Sequence, residues 1–105
     1  SDLQAMNYLR LIDILDSNLE LFSQFDHVYL FGSALSASGL SAGSDIDLLL
    51  LYSKYSDQLV SGCEQISQKL GNETGRVVDL TVLGIDEERH VGFLDRISPH
   101  YRKIK

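Results

Sequence analysis

The chain has 105 residues, 44% of them hydrophobic and 23% charged, with one Pro, one Cys and a net charge of −6. That length suits one domain with a real core, and the composition is that of a soluble globular chain rather than a disordered one. The acidic balance argues against gripping phosphodiester polymers, so a template-directed polymerase is not expected. A single Cys63 excludes an internal disulfide, no apolar run approaches membrane-spanning length, and no basic-then-apolar leader opens the sequence, which together predict a cytoplasmic protein.

In chain order, Leu3 to Phe22 places Met6, Leu9, Ile12, Leu15, Leu19 and Phe22 three or four apart, the spacing of an amphipathic helix. Leu11, Ile14 and Leu21 fall off that stripe. Either the helix is buried on more than one side, the simpler reading, or Leu11 and Ile14 form a second surface for a partner. Ser17-Asn18-Leu19-Glu20 has capping-box spacing, so the helix can break and restart there. His27 to Phe31 reads as a first strand, and Gly32-Ser33 as a turn into a short helix whose first amides can receive an anion. Gly39 to Ser44 is a small-residue loop delivering Asp45. Ile46 to Tyr52 carries four consecutive leucines, as expected of a central strand covered on both faces.

Ser56 to Leu70 places Leu59, Cys63, Ile66 and Leu70 at helical spacing, with Gly71-Asn72 as the stop, which gives a crossover helix. Arg76 to Leu83 is a β-branched strand ended by Gly84. Asp86-Glu87-Glu88 suits the first turn of a last helix, with Val91, Leu94 and Ile97 inward and Ser98-Pro99 at its end. The basic tail, His100 to Lys105, is either an edge strand or unstructured. The expected fold class is α/β (α+β), a small mixed β-sheet with helices. It forms one domain over 1–105 with its core at 25–97, an N-terminal helix at 1–23 and the tail at 100–105.

The stretch from Val28 to Tyr52, VYLFGSALSASGLSAGSDIDLLLLY, carries the chemistry. Alternate strand residues share a face, so Asp45 and Asp47 project together while Ile46 and Leu48 enter the core. Two carboxylates so close repel unless a cation joins them, and hard oxygen ligands suit magnesium. Each Asp alone has a plainer reading, Asp45 as a turn cap and Asp47 as a solvent-facing strand residue. Asp79, centred in Val77-Val78-Asp79-Leu80, is harder to explain that way, because a buried unpaired carboxylate destabilises a strand. Cys63 reads as core filler, and His27, His90 and His100 lack the spacing of zinc ligands. Tyr52 and Tyr55 suit packing better than closure over a base.

Gly32-Ser33, eleven intervening residues, then Asp45-Ile46-Asp47, with Asp79 on a later strand, resembles the signature of the nucleotidyltransferase superfamily that includes DNA polymerase beta. The short chain is most similar to the minimal nucleotidyltransferases, often found as partners of HEPN-domain proteins, and the likeness covers about residues 25 to 97. Members often carry basic residues after the Gly-Ser, where Ala34 to Ser38 has none.

The resemblance implies a polymerase-beta-like fold and transfer of a nucleoside monophosphate, AMP from ATP or another nucleoside triphosphate, to a hydroxyl acceptor on a partner protein. It assigns Asp45, Asp47 and Asp79 as catalytic and metal-binding residues for two magnesium ions, with manganese as a substitute. Gly32, Ser33 and Ser44 are the expected nucleotide-binding residues. The implied partner is a HEPN-type protein, in a homo- or hetero-oligomeric setting that the residues leave open. The alternative function is a weakly catalytic or non-catalytic antitoxin, a binding partner of a HEPN-domain protein.

Overall fold

The computed structural model describes residues 7–36 and 39–105. The expected helix start at Leu3 to Met6 lies outside them, as do Ala37 and Ser38. Helix α1 runs Tyr8–Ser17, and Asn7 caps it by accepting from the Arg10 amide at 2.8 Å. The break expected near Ser17 is present, although no capping box makes it: the buried Asn18 side chain donates to Ile14 O and to Glu73 Oε2, both at 2.8 Å. A 3-10 turn, Leu19–Phe22, leads to strand β1, His27–Phe31.

A second 3-10 turn, Gly32–Leu35, follows β1 directly, and the loop after it enters β2, Ile46–Tyr52. Both strands have the bounds that their apolar runs predict. Helix α2, Asp57–Thr74, passes the expected stop at Gly71-Asn72 and ends on Gly75, which takes the left-handed φ of +69°. Strand β3 is Val78–Gly84. The single last helix expected from Asp86 to Ile97 is two: α3, Ile85–Val91, and α4, Phe93–Ile97, separated by Gly92 at φ +66°. Val91, expected inward, is exposed as a result, whereas Leu94 and Ile97 are half-buried. The tail forms β4, Tyr101–Lys103.

The strands make one mixed sheet in the order β3-β2-β1-β4. β1 pairs antiparallel with β2 and with β4, and β2 pairs parallel with β3, the connection that α2 makes possible. One face packs on the helices: Val28 and Leu30 of β1 and Ile46, Leu48 and Leu50 of β2 join Leu11, Leu15, Phe22, Phe25, Leu59, Ile66 and Leu70. Leu49 and Leu51, on the opposite face, are buried too, so β2 is covered on both sides as its leucine run predicts.

The inward stripe of α1 differs from the expected one. Leu11 is fully buried and Leu9 is 73% exposed, so Leu11 belongs to the core and not to an outer docking surface. Apolar residues at 9, 11, 12, 14 and 15 allow more than one helical stripe, and contact with α2 and the sheet selects the one through Leu11, Ile12 and Leu15.

Candidate active site

Two registers bring the candidate residues together. Phe31 stands opposite Asp47 on β2, and Asp47 stands opposite Asp79 on β3, so the three side chains form a row on the sheet face away from α1 and α2. Asp45 is one strand step before Asp47 on the same face. Asp47 is half-buried, while Asp45 and Asp79 are exposed. The burial cost that set Asp79 apart in the sequence therefore does not apply, and its register with Asp47 is what ties it to the site.

Gly32 takes φ +74°, and a Cβ there would collide with Asp47 Oδ2. Only glycine satisfies both the left-handed turn and this close approach. The Ser33 backbone amide, expected to face an anion, hydrogen-bonds to the Asp47 carboxylate. Ser33 itself is exposed on the turn. Burial raises the pKa of Asp47, the charges of Asp79 and Asp45 raise it further, and the Ser33 amide opposes them.

The loop that delivers Asp45 is anchored by a residue that sequence reasoning passed over. Arg76 Nη1 donates to Ser41 O at 2.6 Å and to Ser44 O at 2.9 Å. Ser44 Oγ shares a hydrogen bond of 2.8 Å with Ser41 Oγ. Beside them an open cleft of 640 Å³ is lined by Ser44, Asp45, Thr74, Gly75, Arg76 and their neighbours. Ser44 thus lies at the cleft next to Asp45, across the β2 entry from Gly32 and Ser33.

Carboxylate oxygens are the donor set that magnesium prefers, and it commonly takes only one or two from a protein. The raised Asp47 next to two further carboxylates is the environment that a divalent cation would relieve. Among the described residues no three His, Cys, Asp or Glu side chains gather closely enough to hold one ion. The Asp45–Asp47 pair is accordingly the set that fits, with Asp79 as the adjoining carboxylate.

The other singled-out residues stay apart. Tyr52 and Tyr55 meet edge to face at 6.0 Å at the end of β2 remote from Asp45, a packing contact. Cys63 is half-buried on α2, and burial pushes its thiol pKa up. His90 Nδ1 lies 2.9 Å from Asp86 O, His27 opens β1, and His100 lies between α4 and β4.

Sequence reasoning also missed Phe93 and Arg96. The bend at Gly92 turns α4 back so that the Phe93 ring meets Phe31 edge to face at 5.3 Å, and Arg96 lies over Phe93 at 5.6 Å. The Leu94 amide donates to Glu88 Oε2 at 3.1 Å and holds the bend. The only signal was a glycine inside an otherwise helical run.

No family model and no curated protein sequence matches the chain. Solved structures do match. One is the MntA–HpeT toxin–antitoxin complex, in a mutant with two aspartates two positions apart changed to glutamate: TM-score 0.54 and 19% identity over 95% of this chain and 73% of that one. Another is a tri-AMPylated HEPN toxin from Shewanella oneidensis in complex with an MNT antitoxin, with TM-score 0.54 and 18% identity over 95% of this chain and 72% of the other. A further structure from Shewanella oneidensis gives TM-score 0.53 and 14% identity over 91% and 70%. The four-stranded mixed sheet and its flanking helices therefore share the fold of these MntA and MNT antitoxin structures.

Proposed function

We propose that the chain is a nucleotidyltransferase that moves AMP from ATP to a hydroxyl of a HEPN-type partner protein in the cytoplasm. The observation that carries this reading is the Gly32-Ser33 turn closed on Asp47, with Asp45 and Asp79 flanking that carboxylate on one sheet face. The Ser33 hydroxyl and the remaining amides of the turn hold oxygens of the β and γ phosphates. Asp45 and Asp47 would hold magnesium, and Asp79 would be the carboxylate available to a second ion. Bound magnesium neutralises phosphate charge and lowers the pKa of the acceptor hydroxyl.

Asp79, exposed and in register with Asp47, takes the acceptor proton. The acceptor oxygen bonds to the α-phosphorus, the α-phosphorus to bridging-oxygen bond breaks, and pyrophosphate leaves. One of the neighbouring structures contains an AMPylated toxin, which supports AMP and a protein acceptor here.

A second reading, an antitoxin that binds its partner with little or no catalysis, is favoured by one observation: no Lys or Arg occurs between Arg10 and Lys54, so the Gly-Ser turn and its loop contain no cation for a triphosphate. The test uses ATP labelled at the α-phosphate, this protein or its Asp47→Asn variant, and the product of the adjacent reading frame. Label on that product which disappears with Asp47→Asn is the expected result. Label on added RNA instead overturns the protein acceptor, and a stable complex without label supports the second reading.

A further inference from the structure

A triphosphate beside three carboxylates needs positive charge from the protein as well as from metal ions. The Gly32–Leu35 turn and the loop to Asp45 supply none, so the cation has to come from another element. Most of the candidates are already committed elsewhere. Arg76 holds the Ser41 and Ser44 carbonyls. Arg102 donates to Tyr8 Oη at 3.2 Å, and Lys105 Nζ donates to Phe22 O and Phe25 O. Arg89 pairs with Asp86 at 3.6 Å, and Lys54 follows β2 at the end remote from Asp45.

Arg96 differs from these in placement. It is exposed, and it forms no ion pair among the described residues. Its guanidinium lies over Phe93, whose ring meets Phe31, and Phe31 is both the residue before Gly32 and the register partner of Asp47. Two aromatic rings thus lead from Asp47 to one cation on the same sheet face. The bend at Gly92 brings it there, since an unbroken helix from Ile85 would carry Phe93 and Arg96 away in another direction.

We infer that Arg96 is the nucleotide's phosphate-binding cation, reaching from α4 to the triphosphate held over Gly32 and Ser33. An arginine is well suited to this, because its planar donor fork grips phosphate oxygens in pairs and its stacking on Phe93 limits the freedom lost on binding. The inference rests on the nucleotidyltransferase reading, and it removes the observation that favours the non-catalytic one.

The experiment measures binding, by calorimetry, of an ATP analogue with a methylene bridge between the α and β phosphates, in the presence of manganese. Arg96→Gln is expected to weaken binding about tenfold, as loss of one charge-assisted phosphate contact does. Arg96→Lys is expected to fall between wild type and Arg96→Gln, keeping the charge but not the paired donors or the stacking on Phe93, and Arg89→Ala leaves the affinity unchanged. Melting temperatures of all three variants stay with the wild type, because both side chains are exposed. Equal binding by wild type and Arg96→Gln overturns the role of Arg96 and leaves the nucleotidyltransferase reading standing. Equal loss in Arg96→Lys and Arg96→Gln overturns it as well, by assigning the effect to shape. A wild-type protein that binds no analogue overturns both readings.

Discussion

Asp47 and Asp79 face each other directly across the parallel β2–β3 pair, so two carboxylates share one rung of the sheet. Partial burial, and then the repulsion from Asp79, raises the Asp47 pKa above its ordinary value. The native state therefore holds a proton that the unfolded chain releases, and stability in chelator falls as pH rises from the ordinary carboxylate range through the raised value. Below that range the penalty is absent. Asp79→Asn is expected to flatten this decline and to stabilise the metal-free protein at neutral pH by less than about 1 kcal/mol, since solvent screens a half-exposed pair. Urea melts across the acid-to-neutral range check it, and an unchanged slope would separate the two groups energetically.

Divalent metal should reverse that penalty. Magnesium or manganese is expected to raise the melting temperature, with stabilisation of about 2.7 kcal/mol when the ion is at a hundred times its dissociation constant. Asp45→Asn combined with Asp47→Asn should abolish the increase. Stabilisation of equal size in the double variant would locate the ions away from these aspartates.

Gly32→Ala tests the turn. Its φ of +74° and the Asp47 oxygen in the place of its Cβ oppose any side chain. The expected destabilisation is about 1–3 kcal/mol, with loss of the metal effect because Asp47 must move aside. Denaturant midpoints with and without manganese report both. A loss below about 0.5 kcal/mol would mean that the turn adapts.

The two leucines of α1 should behave in opposite ways. Leu11→Ala empties a fully buried site and is expected to cost about 2–5 kcal/mol. Leu9→Ala, at a position that is 73% exposed, should stay within about 0.5 kcal/mol of the wild type. Similar losses at both positions would reassign the buried stripe.

The strands were legible because their signals are local: His27–Phe31 and Ile46–Tyr52 are apolar runs bounded by polar or small residues. The candidate site was legible through Gly32-Ser33 and Asp45-x-Asp47, since short spacing on one strand determines a shared face. What stayed hidden depends on contacts distant in sequence. Gly71 and Gly75 are equal as letters, yet α2 continues through the first and ends on the second, where the chain must turn back into β3. Gly92 likewise breaks a helix-like run at a left-handed φ of +66°, where Phe93 meets Phe31 from 62 residues earlier in the chain. Arg76 gave no signal at all, its partners being backbone carbonyls rather than side chains with a recognisable pattern.

The grip of Arg76 on the Ser41 and Ser44 carbonyls bears on conformational entropy. A segment made of Gly, Ser and Ala has wide backbone freedom, and ordering it costs about 1–2 kcal/mol per residue. Because one guanidinium fixes the segment at both carbonyls, that freedom is lost when the domain folds and not when a ligand arrives. On the proposed function, Asp45 would meet its ligand already aimed, and the affinity would reflect contact chemistry with little subtraction for ordering the loop. Replacing Arg76 would move that entropic cost from folding to binding.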